Sequence, residues 1–495
     1  MGLSKSKLTR FCQCPKQFWL DENKRGLAEV SAAAEARFDE GTRVGELAKR
    51  LFGGFDDATV YDGDKLDLTA MVERTAELTA AGAENICEAA FSYGGCYCAV
   101  DILHRTARGY ELYEVKSSAH VKQVYLIDVA YQRYVLGLCG VKLVGAYIVY
   151  INTDYVRRGD IDPRGLFRIQ EVSAATDGYL AQMRDTVAAA LDVADDPFEP
   201  TVELGERCAS PYDCPYIGYC ERDLPEPNVF DIYRMGRKKA AELYYNDGIA
   251  SFDDVLRRGV KLSKMQKRQV ESAANGLPTY VDRAGVNKFL AELWSPLYFL
   301  DFETFMAAIP PFDGLSPYKQ VTFQYSLHYY DAEKLMHREF LGDGRTDPRR
   351  ALAERLAVDI PTDACVLAYN KSFECSRLTE LAELFPELAD KLLKIRDNVR
   401  DLLDVFRGGY VYDKAMGGGF SIKKVLPALF AGDRELDYNA LDGVHNGQEA
   451  NETYMRLSEL DGAEYETTRR QLLEYCKLDT LAMVKILEKI KELAK

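Results

Sequence analysis

The 495-residue chain contains no apolar run near the ~20 residues that a bilayer-spanning helix needs. Its start, Met1 to Pro15, is polar and lacks the apolar core of a secretory signal. These absences point to a cytoplasmic protein with no membrane association. No internal repeat and no low-complexity tract is present. A surplus of positive charge is also missing: 63 Lys and Arg stand against 78 Asp and Glu, for a net charge of −15. That excludes attraction of nucleic acid by a uniformly basic surface, so any nucleic-acid path must be a local groove. The excess carboxylates suit bound divalent metals. The twelve cysteines are not spread as in a small secreted disulfide framework, and clustered cysteines in a long chain more often bind metal.

Apolar and charged fractions are those of an ordinary globular protein, and the length suggests two to four domains. Three regions separate on pattern. Residues 1–222 open with helical sequence. Strand-like runs follow at Glu88–Phe91, Cys96–Leu103 and Tyr110–Val115, then a helix at Leu126–Leu138, a strand at Lys142–Ile151 and a cysteine-rich end. Residues 223–289 read as short amphipathic helices with turns at Asn246-Asp247-Gly248 and Asn275-Gly276-Leu277-Pro278. Residues 290–495 begin with strands at Leu297–Glu303, Gln320–Tyr330 and Ala364–Tyr369 and end in a long helix from about Thr467. The layout is α/β.

Cys208, Cys214 and Cys220 follow a C-x5-C-x5-C spacing, and Cys14 lies far upstream in Phe11-Cys12-Gln13-Cys14-Pro15. Four thiolates hold either a zinc ion or an iron–sulfur cube. Neither half carries the paired C-x2-C hook usual for zinc, which favours a [4Fe–4S] cluster. Cys12 is the alternative to Cys14. A cluster here would tie together the two ends of the first region and close a very long loop. The other cysteines read as structural.

Asp101 sits in Val100-Asp101-Ile102-Leu103, and Glu114 and Lys116 in Leu112-Tyr113-Glu114-Val115-Lys116. Two residues apart on a strand, Glu114 and Lys116 project from one face. A carboxylate there binds a divalent ion, and the neighbouring ammonium positions water and offsets phosphate charge. Asp101 completes the metal set, and Gln132 follows on a predicted helix. The arrangement, enclosed by Cys14 and the cysteine trio, resembles the RecB-like branch of the PD-(D/E)XK nucleases. More narrowly it resembles the iron–sulfur CRISPR-associated exonucleases and AddB-type nuclease domains. Their serine-rich opening and F-x-x-C-P pattern are similar to Ser4 through Pro15. The resemblance covers residues 1–222. It implies a restriction-endonuclease-like domain with Asp101, Glu114, Lys116 and Gln132 catalytic, Asp101 and Glu114 binding metal, and Cys14, Cys208, Cys214 and Cys220 holding the cluster. Tyr134 lies near where the family's downstream motif often has an aromatic. The family's metal-binding histidine is missing: Gly45 stands there, and Glu40 or Glu88 is the available substitute.

In the third region the apolar run Leu297-Tyr298-Phe299-Leu300 leads into Asp301-Phe302-Glu303-Thr304. Asp301 and Glu303 then share a face at a strand end, and paired carboxylates there can hold two divalent ions about 4 Å apart. Tyr475 and Asp479, four apart, share one face of the last helix. Between them, Tyr369-Asn370-Lys371-Ser372-Phe373-Glu374 reads as a strand end entering a helix capped by Asn370. Together these pieces resemble the DnaQ-like 3′–5′ exonucleases of the RNase H fold, in their Y-x3-D branch. The match implies Asp301, Glu303, Glu374 and Asp479 as metal ligands and Tyr475 as the residue orienting water. That family normally has aspartate where Glu374 stands, and Asp401 competes for the role. The stretch Gly419 through Pro427 resembles a prokaryotic domain family of unknown function found behind iron–sulfur RecB-like domains. Lys423 and Lys424, beside the turn Gly417-Gly418-Gly419, are candidate phosphate contacts.

The middle region, 223–289, resembles a helix-hairpin-helix-like connector, with a plain helical spacer as the alternative. The expectation is a Mg²⁺- or Mn²⁺-dependent nuclease acting on DNA, or on RNA, with two sites. The rival is a nucleic-acid-binding scaffold whose first site has decayed.

Overall fold

The computed structural model describes residues 2–29 and 32–495. The chain is a mixed α/β protein organised in two compact units. One comprises Met1–Asp223 and Ala307–Lys319, the other Leu224–Met306 and Gln320–Lys495. Residues 224–289 thus belong to the second unit and do not stand apart. The segment Ala307–Lys319, inside the third sequence region, belongs to the first. Among the described residues, no helix is long and apolar enough to cross a membrane.

The first unit is built on a six-stranded sheet: β1 (Asp56–Asp57), β2 (Asn85–Tyr93), β3 (Cys96–Thr106), β4 (Gly109–Lys116), β5 (Leu143–Ile151) and β6 (Phe167–Glu171). The strands lie in chain order, with β1–β2 and β4–β5 parallel and the other pairs antiparallel. The helix Gln123–Leu138 makes the crossover between β4 and β5. It buries Val129, Val135 and Leu136 in a core shared with Val100, Leu112 and Ile148. The chain start is bolted onto the same sheet. Leu3 bridges Cys96, donates its N–H to the Gly95 carbonyl at 2.7 Å, and accepts from Tyr97 N at 2.9 Å. Ser4 then caps the helix Lys5–Gln13 through Lys7 N. Ala307–Lys319 is held by Ala308 N donating to Glu40 at 2.8 Å and by Arg157 donating to the carbonyls of Pro310 and Pro311 at 2.9 and 2.7 Å.

The second unit carries a five-stranded sheet of β7 (Leu297–Phe305), β8 (Val321–Asp331), β9 (Lys334–Leu341), β10 (Cys365–Ala368) and β11 (Val399–Asp401). The spatial order is β9-β8-β7-β10-β11, with β7–β8 and β8–β9 antiparallel and β7–β10 and β10–β11 parallel. The strand β9, paired with β8 through a tight turn, is absent from the sequence reading. The last helix, Gly462–Ala494, begins five residues before the expected Thr467 and buries Leu472, Tyr475, Asp479, Met483, Ile486 and Ile490 at helical spacing. The helices Arg237–Tyr245, Phe252–Arg257 and Lys264–Ala274 close over a small core of Val229, Leu243, Phe252, Val255 and Val270. Capping boxes at Ser251/Asp254 and Ser263/Gln266 start the second and third of these helices.

Candidate functional site

The described residues gather the chemistry in three places. In the second unit, Asp301 and Glu303 lie on the central strand β7, which ends beneath the last helix. Asp301, Glu303 and Cys476 each bring a ligand atom within 4.8 Å of the others. Burial, then Asp479 and Glu303, push the Asp301 carboxyl well above the carboxylate range. Burial and Asp479 do the same to Glu303, while Lys423 counters. Burial raises Asp479 to about 6 in spite of the hydrogen bond from Tyr438 and the charge of Lys423. Burial and Asp301 push the Cys476 thiol far up, and its sulfur lies 3.7 Å from Asp301 Oδ2. Carboxylate oxygens are the hard donors that suit a hard divalent cation.

Glu374 enters from the first turn of the helix Ser372–Leu384. Asn370, at φ 75°, turns the chain from β10 into that helix, a conformation asparagine tolerates better than most residues. Asn370 does not cap the helix: the N-cap residue is Lys371, without a side-chain cap bond, and Asn370 Oδ1 accepts from Ser372 Oγ at 3.2 Å. Glu374 is buried, and its Oε2 has no hydrogen-bond partner. Burial, then Asp401, raise its carboxyl to about 8. Its charge acts on both Asp301 and Glu303. Asp401 is committed elsewhere. Its Oδ1 accepts from Asn370 N at 2.9 Å and Leu403 N at 3.1 Å, and Oδ2 accepts from Arg407 at 3.4 Å. Of the two competitors, Glu374 is the one with a free buried oxygen.

Two further side chains complete this cluster. Lys423, near the start of the helix Ile422–Leu429, sits 3.3 Å from the Tyr475 hydroxyl, and burial lowers its ammonium in spite of Asp479 and Glu303. Lys424 is exposed. Tyr438, which sequence reasoning passed over, donates to Asp479 Oδ1 at 2.5 Å. No local pattern marks it, because it lies in an irregular stretch distant in sequence from Asp479. Gly447 opens the helix Gly447–Arg456 beside the cluster. A Cβ there would stand 3.7 Å from Glu303 Oε2 and 4.0 Å from the Tyr475 hydroxyl.

In the first unit, the register pairs Cys87↔Ile102 and Ala89↔Val100 place Glu88 opposite Asp101. The β3–β4 pairing ends at Ile102↔Tyr113, and beyond it Asp101 Oδ2 accepts from Val115 N at 2.6 Å, next to Glu114. Three carboxylates thus lie on three neighbouring strands. Glu88 has φ 53°, an uncommon conformation for a side-chain-bearing residue in a strand and one often found at functional sites. Burial and then Asp101 raise its carboxyl to about 7. Lys116 donates to Glu114 at 2.8 Å and to Asp128 at 2.7 Å. Gln132 Nε2 donates to Glu114 Oε2 at 2.6 Å. Lys5 reaches Glu114 Oε1 and Oε2 at 2.9 and 3.0 Å and Asp101 Oδ1 at 3.5 Å. Burial would raise Glu114, yet Lys116 and Lys5 hold it down at about 2. Lys5 and Asp128 were not foreseen. Asp128 stands four residues before Gln132, so the helical spacing was there to read.

Gly45 faces open space, with no atom within 4 Å of where a Cβ would stand. Of its possible substitutes, Glu40 spends its oxygens on Ala308 N at 2.8 Å and Ser117 Oγ at 3.2 Å. Glu88 faces the carboxylate row. Tyr134 packs against the core.

Cys14, Cys208, Cys214 and Cys220 line one small cavity with Lys16, Gln17, Arg207 and Tyr216. Gln13 fastens its two sides by donating to the carbonyls of Arg207 and Tyr212 at 2.9 and 2.7 Å, and Tyr216 donates to Asp21 at 2.7 Å. Cys12 is exposed and lies outside the lining.

A separate cleft in the second unit is lined by Lys264, Lys267, Arg268, Pro278 and Tyr280, with Arg268 stacked 3.4 Å from the Tyr280 ring centroid.

Residues 298–421 match the profile of a domain of unknown function, DUF2779. The chain is 30% identical over 235 residues to the uncharacterised protein MG366 homolog of Mycoplasma pneumoniae, covering 42% of this chain and 35% of that protein. It is 29% identical over 231 residues to the uncharacterised protein MG366 of Mycoplasma genitalium, covering 42% and 34%. It is 28% identical over 232 residues to the uncharacterised protein UU173 of Ureaplasma parvum, covering 43% and 33%. The alignments span about a third of the length of these relatives, and the matched profile takes in Asp301, Glu303, Glu374 and Asp401.

Proposed function

We propose that this chain is a metal-dependent nuclease with two phosphodiester-cleaving sites and a structural [4Fe–4S] cluster. The observation that carries the reading is the acidic grouping in the second unit: Asp301 and Glu303 offer ligand atoms within 4.8 Å of each other, and the charges of Asp479 and Glu374 act on both. Asp301, Glu303, Glu374 and Asp479 are buried or nearly so; Lys423 offsets Glu303 and Asp479, and Arg377 offsets Glu374. Holding them together in a dry site without more positive charge is costly. The free Glu374 Oε2 adds a vacant acceptor. Such a set fits Mg²⁺ or Mn²⁺, which would neutralise charge developing on the attacking and leaving oxygens.

In this reading Asp301, Glu303, Glu374 and Asp479 hold the metal. Tyr475 orients the attacking water, and Lys423 meets a non-bridging phosphate oxygen. Tyr438 fixes the Asp479 carboxylate through its hydrogen bond. The five-stranded sheet, with its acidic central strand and closing helix, supports the DnaQ-like RNase H assignment. In the first unit, Asp101, Glu114 and Glu88 fit a divalent ion, Lys116 positions water and Gln132 fixes Glu114, supporting the PD-(D/E)XK assignment. Lys264, Lys267 and Arg268, in a cleft that Glu271 also lines, are the candidate local contacts for the DNA backbone.

The test is digestion of labelled single- and double-stranded DNA and RNA by the wild type, by Lys116→Ala and by Asp301→Ala, with Mg²⁺, Mn²⁺ or EDTA. Metal-dependent cleavage, divided between the two variants, is the expected result. Binding without cleavage on every substrate would instead establish the nucleic-acid-binding scaffold.

A further inference from the structure

Lys5 has no part in the sequence-derived catalytic set, yet it is delivered to the first site with care. Leu3 is pinned to the sheet, Ser4 caps the helix, and Thr9, one turn on, donates to Asp128 Oδ1 at 2.7 Å. The Lys5 side chain is only 24% exposed, and its ammonium bridges Asp101 and Glu114. These are the two carboxylates best placed to hold a metal. Around them stand Glu88 and Asp128 on the acidic side and Lys116 on the basic side. Glu114 and Asp101 already give oxygens to the Lys5 ammonium at 2.9, 3.0 and 3.5 Å, so a divalent ion and Lys5 claim the same oxygens.

We propose that Lys5 is a built-in counter-cation of the first site, competing with a divalent ion for Asp101 and Glu114 and so setting the metal concentration at which that site fills. The proposal rests on the nuclease reading of this site. Lys5 acts as a positioning residue. It keeps the carboxylate row paired before metal arrives, when like charges on adjacent strands would otherwise repel.

The experiment uses the full chain in an Asp301→Ala background, which disables the second site. Mn²⁺ binding is followed by calorimetry and by electron paramagnetic resonance for the parent, Lys5→Met, Lys5→Gln and Lys5→Arg. Removing the charge is expected to tighten Mn²⁺ binding at least about 10-fold, given the strength of interaction between charges a few ångströms apart in a protein. Lys5→Arg should keep the parent's weaker binding. Metal-free Lys5→Met should also melt lower than the parent and recover more on adding Mn²⁺. Affinity unchanged or weakened in both Lys5→Met and Lys5→Gln would overturn the proposal and leave Lys5 as a structural ion pair. Asp101→Ala in the same background separates the two levels. If it leaves Mn²⁺ binding intact, the metal-site reading itself fails, and the proposal with it.

Discussion

Glu88 stands opposite Asp101 across two antiparallel strands, in a backbone conformation that a strand residue rarely adopts. Like charges facing each other across a ladder destabilise a sheet. A sheet that keeps them, and distorts a strand to do so, points to a use for both. In the proposed reading of the first site, Glu88 fills the chemical role left open by Gly45. Glu88→Gln should leave the fold intact and weaken Mn²⁺ binding at the first site. Cleavage assigned to that site should fall on the order of 10²-fold, the usual cost of removing one key electrostatic group. Calorimetric Mn²⁺ binding equal to that of the parent would remove Glu88 from the metal set.

The cysteine cavity makes a prediction visible to the eye. Protein purified without air should be brown, with a broad visible absorbance shoulder that bleaches under dithionite. Cys214→Ala should lose iron and melt at a lower temperature, because the proposed cluster would tie Cys14 to the distant stretch Cys208–Cys220. Cys12→Ala should keep the iron, since Cys12 lies outside the cavity. A colourless protein with one equivalent of zinc would contradict the cluster assignment.

The second site predicts a pH dependence whose sign is fixed. Burial and neighbouring carboxylates raise Asp301 and Glu303, burial brings Asp479 to about 6, and burial with Asp401 brings Glu374 to about 8. A carboxyl whose folded value exceeds its unfolded value binds its proton more tightly in the folded state. Its stabilising contribution is present below about pH 4 and is lost as pH rises through the folded values. The metal-free protein should therefore melt lower at pH 8 than at pH 5. Asp301→Asn, which cannot ionise, should raise the melting temperature at pH 8 by a few degrees, at about 2–4 °C per kcal/mol for a unit of this size. Mn²⁺ should stabilise the wild type more than the variant. Thermal melts in EDTA across this pH range check it, and a variant that melts lower than the wild type at pH 8 would contradict the electrostatic account.

The parts of these sites legible in the sequence were those in which neighbours along the chain share a face. Glu114 with Lys116, Asp301 with Glu303, and Tyr475 with Asp479 follow from strand and helix periods alone. Gln132 was legible through the family resemblance, and the structure brings it to Glu114. Lys5 and Tyr438 were not legible. Each meets its carboxylate across a long loop of chain, and no periodicity reports which distant side chain will arrive. Glu374 and Asp401 were indistinguishable as residue types, and backbone N–H groups separate them by occupying Asp401. Ala307–Lys319 was read with its sequence neighbours because nothing in its composition says which unit it packs against. The cysteine grouping was legible in part from spacing, because three of the four cysteines that line the cavity lie in one short stretch.

The central claim is that the carboxylates of β7 and the last helix cleave nucleic acid from 3′ ends with a divalent ion. It is tested most directly by following 5′-labelled DNA digested by wild type and by Asp301→Ala. The wild type should produce a ladder shortening from the 3′ end, stop in EDTA and resume with Mn²⁺. Asp301→Ala should be slower on the order of 10²-fold or more, with an unchanged circular dichroism spectrum. Tyr475→Phe should fall between the two. Wild-type digestion indifferent to chelator, or Asp301→Ala trimming 3′ ends at the full rate, would contradict the account.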